Sequence, residues 1–383
     1  MSVTAAQGFT AAGVPAGLKS TGAPDIAVVV NQGPSKAAAA VFTSNRCKAN
    51  PVLWSEQAIQ GGTAVAVAIN SGGANCYTGA EGFATTHRTA ETVAEHLGVG
   101  AIDVQVCSTG LIGKLNDREA LLSGVQAALE AQSADGGSTA ATAIMTTDSV
   151  SKESVAHGDG FTVGGMAKGA GMLAPALATM LVVITTDADV DSATADAALR
   201  AATAQTFDRL DSDGCQSTND TVLLMASGAS GTTPDTDAFT AAVTDVCRDL
   251  AMQLLADAEG ADHEIAIEVV NAASVDDALE VGRSVARSNL FKCAIFGKDP
   301  NWGRILASVG TTQAAFDPGD LDVALNGVWV CRNSGPGESP DAIDLEERSV
   351  SVTIDLKSGD STGTIWTNDL TQAYVHENSA YSS

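Results

Sequence analysis

The sequence predicts an α+β fold in which helices and sheets pack as sandwiched layers. Strand-like runs and amphipathic helices occur along the whole chain, but without the regular strand–helix–strand rhythm of a doubly wound sheet. Hydrophobic residues make up 45% of the chain, which is enough for a large core. Aromatic residues are only 4%, so Ala, Val, Leu and Ile must fill most of that core. A length of 383 residues corresponds to about two domains.

The individual elements follow from apolar runs bounded by turn residues and from segments of helical periodicity. Strands are predicted, in chain order, at 26–30, 37–43, 64–70, 103–109, 179–186, 221–226, 265–270, 322–331 and 350–356. Helices are predicted at 80–97, 117–131 with Asn116 as the N-cap, 191–207, 235–257 and 276–290. The small-residue stretch 131–143 is typical of a loop or of the start of a helix.

Charge is spread unevenly along a strongly acidic chain, whose formal net charge is -26. Residues 1–178 carry 9 basic and 13 acidic side chains, whereas residues 179–383 carry 11 and 33. A chain this acidic repels phosphate backbones and anionic lipid, which excludes non-specific binding to nucleic acid or to a membrane surface. No apolar run approaches the ~18 residues of a membrane span.

The cysteines and the N-terminus both indicate a cytoplasmic protein. The seven cysteines are widely scattered and form no CxxC pair, which is typical of reduced thiols. The first 13 residues contain no basic region followed by an apolar stretch, so no signal peptide is predicted.

Familiar catalytic and metal motifs are missing from the sequence. There is no GxSxG, HExxH or GxxxxGK[ST], no Cys/His pair at zinc spacing, and the five histidines are isolated. The glycine-rich segment 164–171 resembles a phosphate loop only loosely, since no Lys-Ser/Thr follows it. It nevertheless leaves one alternative open, a protein that binds a nucleotide or another small molecule and keeps its chain intact.

Thr179 stands out because it follows this segment at the mouth of a strongly apolar strand. A β-branched residue is favoured at such a position simply as the start of a strand. A second interpretation is that the Thr179 hydroxyl attacks the carbonyl of Ala178 and that the resulting ester hydrolyses. The freed α-amine would then act as the base of the hydroxyl, an arrangement that needs no histidine. Local sequence alone leaves both interpretations open.

Several further motifs lie in order along the chain, on both sides of Thr179. They are VVNQGP at 29–34, CSTGLIG at 107–113, IMTTD at 144–148, KGAGM at 168–172, LATML at 177–181, STNDT at 217–221, AEGA at 258–261, DPNWGR at 299–304 and NSAYSS at 378–383. With these motifs the chain, from about residue 7 to residue 383, resembles the ornithine acetyltransferase family, the ArgJ-type glutamate N-acetyltransferases of arginine biosynthesis.

This resemblance implies a precursor that cuts itself between Ala178 and Thr179. The α chain would be 1–178 and form the core of the N-terminal domain, and the β chain would be 179–383. Residues 179–232 would complete that domain, and about 233–383 would form a smaller C-terminal α/β region. The implied fold is the layered sandwich shared with self-cleaving aminopeptidases, and the two chains are expected to assemble as α2β2.

The resemblance also implies the site residues. Thr179 would be the nucleophile and, through its α-amine, the base, while Thr109 and Gly110 would form the oxyanion hole. The substrate-binding residues would be Thr146 (or its neighbour Thr147), Lys168, Thr179, Glu259, Asn378 and Ser383. Lys168 would pair with a substrate carboxylate and Glu259 with its ammonium. Segments 217–221 and 299–304 match the family without an assigned role.

The implied reaction is ping-pong transfer of an acetyl group from N2-acetyl-L-ornithine to L-glutamate through acetyl-Thr179. One amide is exchanged for another, so the resemblance implies neither a cofactor nor a metal. Whether acetyl-CoA is a second donor stays open. A hydrolase of the self-cleaving aminopeptidase type, which would release the acyl group to water, is the nearest alternative.

Overall fold

A computed structural model describes residues 2–171 and 180–380. Its strands are β1 (Phe9–Val14), β2 (Ile26–Asn31), β3 (Ala38–Phe42), β4 (Ala66–Asn70), β5 (Val104–Ser108), β6 (Lys152–Gly158), β7 (Phe161–Lys168), β8 (Leu181–Thr186), β9 (Thr221–Ala226), β10 (Glu264–Ala272), β11 (Asp322–Leu325), β12 (Val328–Arg332), β13 (Gly335–Pro336), β14 (Ser349–Asp355) and β15 (Ser361–Asn368). Its helices are α1 (Asn50–Ala58), α2 (Gly79–Leu97), α3 (Arg118–Ala131), α4 (Gly137–Ala143), α5 (Ser192–Thr203), α6 (Thr236–Ala256), α7 (Val275–Ala286), α8 (Asn289–Phe296), α9 (Trp302–Val309) and α10 (Gln372–Ala380).

Two β-sheets, which together contain strands β1 to β9, stack face to face. The first sheet has the strand order β1-β2-β4-β5 and the second has the order β3-β9-β8-β7-β6. Their facing sides share one apolar core, to which Val29, Ile69, Met166 and Leu223 belong. Since both faces of these sheets are covered, every residue of β2, β8 and β9 is buried, which explains why their sequences are apolar runs rather than alternating patterns.

Helices cover the outer faces of both sheets. α2 and α3 pack on the first sheet, where Val93 and Leu129 lie in a core with Val106. α5 and α6 pack on the second sheet, where Leu199 and Leu250 contribute to another core. The layers therefore follow the order helix, sheet, sheet, helix, which confirms the predicted α+β class.

A third sheet, of order β13-β12-β11-β14-β10-β15, carries α7, α8 and α9. Its core, with Ile267, Val285 and Val352, is separate from those of the sandwich. The two parts are joined where the backbone N–H of Asp211 donates to the carbonyl of Trp366 in β15, at 2.8 Å. α10 follows β15 in the chain, so the end of β15 places α10 at the edge of the sandwich.

Two predicted elements are each divided into two in the structure. The helix predicted at 276–290 is two helices, because Ser288 caps α8 by accepting a hydrogen bond from the N–H of Phe291. The strand predicted at 322–331 is a hairpin, since Asn326 and Gly327 both have positive φ and turn the chain between β11 and β12.

The predicted N-cap of α3 is wrong by one residue. Asp117, not Asn116, accepts the hydrogen bond from the N–H of Ala120. The Asn116 amide instead donates to the carbonyl of Gly73 at 3.3 Å. The stretch 131–143, for which a loop or a helix start was predicted, ends in α4.

Within residues 2–171 and 180–380, no helix is both long enough and apolar enough to cross a bilayer. All seven cysteines are free thiols.

Candidate functional site

A cavity of about 130 Å³ lies where the ends of β5 and β7 meet the loop after α4, the turn after α6 and helix α10. Thr147, the alternative to Thr146 as a substrate contact, is one of the residues that line it. The predicted site residues that the structure describes all line this cavity, namely Thr109, Gly110, Thr146, Lys168, Glu259 and Asn378. Ala178, Thr179 and Ser383 lie outside the described residues. The roles assigned to these residues remain predictions.

Thr109 follows the end of β5, and Gly110 after it adopts a backbone conformation that favours glycine. The N–H of Thr109 donates to the carbonyl of Asn70 at 2.9 Å, which continues the pairing of β5 with β4. Gly110 then has φ 124°, and a Cβ placed on it would lie 2.8 Å from the backbone nitrogen of Gly73. Gly110 therefore supplies a close contact between two backbone segments that any side chain would separate.

Asn219 ties this segment to the second sheet. Its side-chain Nδ2 donates to the carbonyl of Ser108 at 2.8 Å and to the carbonyl of Ala74 at 2.7 Å. One buried amide thus fixes the residue before Thr109 and the loop next to Gly110. Segment 217–221, for which no role was predicted, holds the cavity wall in place at this point.

Lys168 is the last residue of β7 and is only 1% exposed. Its Nζ donates to the hydroxyl oxygen of Thr109 at 3.4 Å. Burial lowers the pKa of Lys168, and the negative charge of Asp148 opposes that effect. The cavity therefore contains a buried cation bonded to a residue of the predicted oxyanion hole.

Glu259 brings a carboxylate to the same cavity. Its backbone N–H donates to the carbonyl of Ala170 at 2.9 Å. A Cβ on Gly171 would lie 2.6 Å from the Oε2 atom of Glu259, so the glycine makes room for the carboxylate. The charge of Glu259 also raises the pKa of Lys168, which means that an anion and a cation act on each other across this small site.

Helix α10 contributes Asn378 and Tyr374 to the wall. The Asn378 amide donates to the carbonyl of Tyr374 at 3.0 Å, one helical turn away. Burial and the charge of Asp213 raise the pKa of Tyr374 to about 12, so the phenol keeps its proton. Sequence reasoning missed Tyr374, Asp213 and Cys215, all of which line the cavity. No motif marked them in the sequence.

A buried acid, Asp220, lies beside Met180. Asp220 is fully buried, and its Oδ1 accepts a hydrogen bond from the N–H of Met180 at 3.0 Å. Burial raises the pKa of Asp220 well above its usual value, while the Met180 N–H and the charge of Lys168 act in the opposite direction. Asp220 thereby anchors the start of the strand that follows Thr179.

The glycine-rich segment 164–171 is not a phosphate loop. Gly164 and Gly165 lie within β7, which pairs with β6 on one side and with β8 on the other. A Cβ on Gly164 would lie 2.2 Å from the carbonyl oxygen of Ser2. These glycines serve close packing, and their backbone groups belong to the sheet. Among the described residues, no group of three or more His, Cys, Asp or Glu side chains is arranged to hold a metal ion.

Known proteins match the chain over its full length. The model of the ArgJ family matches residues 10–383. The arginine biosynthesis bifunctional protein ArgJ of Streptomyces coelicolor is 63% identical over 383 residues, covering 100% of both chains. The protein of the same name from Thermobifida fusca is 60% identical, again over 100% of both chains.

Two solved structures are also similar. Ornithine acetyltransferase complexed with ornithine, from Mycobacterium tuberculosis, is 52% identical, covers 47% of this chain and 96% of its own, and has a TM-score of 0.45. The arginine biosynthesis bifunctional protein argJ of Bacillus halodurans is 34% identical, covers 51% of this chain and 97% of its own, and has a TM-score of 0.48.

Proposed function

We propose, since the chain belongs to the ArgJ family, that it moves an acetyl group from N2-acetyl-L-ornithine to L-glutamate through an acetyl ester on Thr179. The chain is an enzyme of arginine biosynthesis and an acetyltransferase of this family. One observation supports the proposed chemistry above all: a single cavity holds Thr109, Gly110, a buried lysine and a carboxylate.

Charge complementarity supports the proposed donor. N2-acetyl-L-ornithine carries an α-carboxylate and a side-chain ammonium. Lys168 would bind the carboxylate and Glu259 the ammonium, each through a charge-assisted hydrogen bond. Because Lys168 is 1% exposed, little water competes for its ammonium, and the attraction for a carboxylate is stronger than at the surface. Thr146 and Asn378 add neutral polar groups to the wall.

The proposed first half-reaction forms the acetyl-enzyme. The Thr179 hydroxyl oxygen attacks the acetyl carbonyl carbon while the α-amine of Thr179 takes the hydroxyl proton. The Gly110 N–H and the Thr109 hydroxyl donate to the oxyanion. A lysine ammonium can only donate, so the hydrogen bond from Lys168 uses the Thr109 oxygen as acceptor and leaves the Thr109 proton for the oxyanion. The tetrahedral intermediate then expels ornithine, whose nitrogen takes the proton back.

The second half-reaction reverses these steps with another amine. The α-amine of L-glutamate attacks the carbonyl of acetyl-Thr179, and N-acetyl-L-glutamate leaves as the ester bond breaks. The α-amine of Thr179 takes a proton from the attacking nitrogen and returns it to the Thr179 oxygen. Both donor and product are amides of α-amino groups, so the exchange is nearly balanced in energy.

Self-cleavage between Ala178 and Thr179 belongs to the same proposal, because the free α-amine exists only after the cut. The α chain would then be 1–178 and the β chain 179–383, with 179–232 completing the N-terminal domain. We also propose an α2β2 assembly and a cytoplasmic location. The free thiols support the latter.

Mass spectrometry of the acetyl-enzyme tests the reaction. Incubation with N2-acetyl-L-ornithine should add one acetyl group to the peptide that begins with Thr179. Adding L-glutamate should remove it with formation of N-acetyl-L-glutamate, whereas buffer alone should leave most of it in place. Equal loss in buffer would identify a hydrolase, and no acetylation at Thr179 would refute the proposal.

Replacing Lys168 by alanine should weaken donor binding. Loss of a charge-assisted hydrogen bond costs about 1.5–3 kcal/mol, so KM for N2-acetyl-L-ornithine should rise about 10- to 100-fold. Steady-state kinetics with varied donor measure the change. Lys36→Ala is the control, because Lys36 binds the backbone carbonyls of Asn31 and Gly33 and does not line the cavity. A normal KM for Lys168→Ala would contradict the assignment.

A further inference from the structure

Three buried side chains form an ion cluster behind the cavity. The Lys152 ammonium is fully buried and donates to Asp148 Oδ1 at 2.7 Å and to Asp257 Oδ2 at 2.5 Å. The Asp148 side chain is fully buried and that of Asp257 is 9% exposed. Burying such charges costs free energy that good pairing must offset. The proposed reaction uses none of the three groups, so their role lies outside the chemical steps.

Unlike Asp257, Asp148 also accepts hydrogen bonds from two backbone segments of the cavity wall. Its Oδ2 accepts a hydrogen bond from the N–H of Thr146 at 2.9 Å. Its Oδ1 accepts one from the N–H of Gly169 at 2.6 Å. Gly169 directly follows Lys168, so one carboxylate connects the loop that carries Thr146 to the end of the strand that carries Lys168.

The surroundings of Asp148 favour the ionised form of its carboxyl group. Burial alone would favour the neutral acid, but the charges of Lys168 and Lys152 and the N–H of Gly169 lower the pKa of Asp148 to about 2. The carboxylate is therefore ionised throughout the range in which an enzyme can be assayed. Asp148 is also the largest of the influences that raise the pKa of Lys168 against the effect of burial.

We infer that Asp148 is a positioning residue for the acetyl donor: its carboxylate sets the spacing between Thr146 and Lys168 through its hydrogen bonds to the N–H groups of Thr146 and Gly169. This inference rests on the proposed function, in which both residues contact the donor. The chemistry recognised at this place is a carboxylate group, held between a buried ammonium and a threonine.

The other charges that act on Lys168 determine the sign of the effect. Asp220, before β9, and Glu259, after α6, raise the pKa of Lys168, as Asp148 does. Lys152 lowers it, and Lys168 and Lys19 oppose each other's protonation. Without Asp148 the two neighbouring lysines remain, so the pKa of Lys168 falls further and its ammonium loses the proton at a lower pH.

Asp148→Asn tests the inference because asparagine keeps the size of the side chain and removes its charge. KM for N2-acetyl-L-ornithine should rise about tenfold, by the loss of one charge-assisted contact, with a smaller change in kcat. The alkaline limb of kcat/KM against pH should move to lower pH by about one unit, as expected for the loss of a neighbouring opposite charge. Steady-state kinetics of the full chain from pH 6 to pH 10 measure both.

Asp257→Asn is the matched control. It removes the other partner of Lys152 but touches neither the Thr146 N–H nor the Gly169 N–H, whose bonds are with Asp148. Both variants leave Lys152 with one carboxylate, and Asp257, like Asp148, accepts two further hydrogen bonds, from the N–H and the hydroxyl of Ser149. Thermal unfolding should therefore show losses of similar size. The pH profile of Asp257→Asn should match that of the unmodified enzyme.

Equal kinetic losses in the two variants, or an unmoved alkaline limb in Asp148→Asn, would overturn the inference and leave a structural role for the cluster. If Asp148→Asn does not fold, Asp148→Glu keeps the charge and shifts its position. That variant should raise KM without moving the limb, and an unchanged KM there would also overturn the inference. Acetylation of Thr179 in the unmodified enzyme tests the proposed function separately, so the two failures are distinguishable.

Discussion

Replacing Thr179 by alanine should leave one uncut chain of 38.6 kDa and abolish acetyl transfer. The same hydroxyl is proposed to open the bond to Ala178 and later to carry the acetyl group, so its loss removes both reactions. Alanine also offers no other nucleophilic atom at this position. A denaturing gel of the unmodified protein should show two bands, for 1–178 and 179–383, and the gel of the variant should show one.

Thr179→Ser is the control for this change, because serine keeps a hydroxyl at the same place. It should give two bands and retain acetyl transfer. Two fragments from Thr179→Ala would show that the cut does not depend on this hydroxyl. A single intact band from the unmodified protein would argue for the alternative of a binding protein that is never cut.

Gly110→Ala should lower kcat about 100- to 1000-fold, the usual effect of losing one oxyanion-hole donor. The reason lies in the backbone. With φ 124° and a Cβ only 2.8 Å from the nitrogen of Gly73, alanine forces the two segments apart and moves the Gly110 N–H away from the reacting carbonyl. KM for the donor should change much less, since Lys168 and Glu259 stay in place. Steady-state kinetics separate the two constants.

Gly113→Ala is a matched control for Gly110→Ala. Gly113 also has positive φ, at 80°, but a Cβ there meets no heavy atom within 4 Å. Both variants therefore carry the cost of a positive φ on alanine, about 1–3 kcal/mol, and φ 124° at Gly110 is the less favourable of the two. Only Gly110→Ala also disturbs the wall of the cavity. Equal falls in kcat would mean that backbone strain alone, and not the placement of the donor, explains the loss.

The sequence predicted the central elements of the fold better than its edges. β2, β8 and β9 are buried on both faces, so they are continuous apolar runs that any hydrophobic pattern detects. α2 is long and amphipathic, and its predicted range is nearly that of the structure. The short helices α8 and α9 have eight residues each, too few for a clear period. Tertiary packing, not local pattern, fixes such elements.

The candidate site was predictable only in part. The local setting of Thr179 marks it as a candidate nucleophile. The other positions follow only from the resemblance to a family, since nothing local to Thr109 or Glu259 marks them as neighbours. Asp148 and Asn219 were missed as organisers of the site. The hydrogen bond from Asn219 to Ala74 spans 145 positions of the chain, and contacts that distant leave no periodic signal in a single sequence.

The strand order β3-β9-β8-β7-β6 of the second sheet has a consequence for the enzyme after cleavage. β3, β6 and β7 would come from the α chain, whereas β8 and β9 would come from the β chain, so the pieces interleave through the pairs β3–β9 and β7–β8. Separating them requires unfolding the sheet. The precursor would fold as one molecule, whereas the cut enzyme, once denatured, would have to find its partner chain to refold, and its recovery would become second order. The proposed cleavage would thus turn stability from an equilibrium property into a kinetic one, and the rate of unfolding would set the working lifetime of the enzyme.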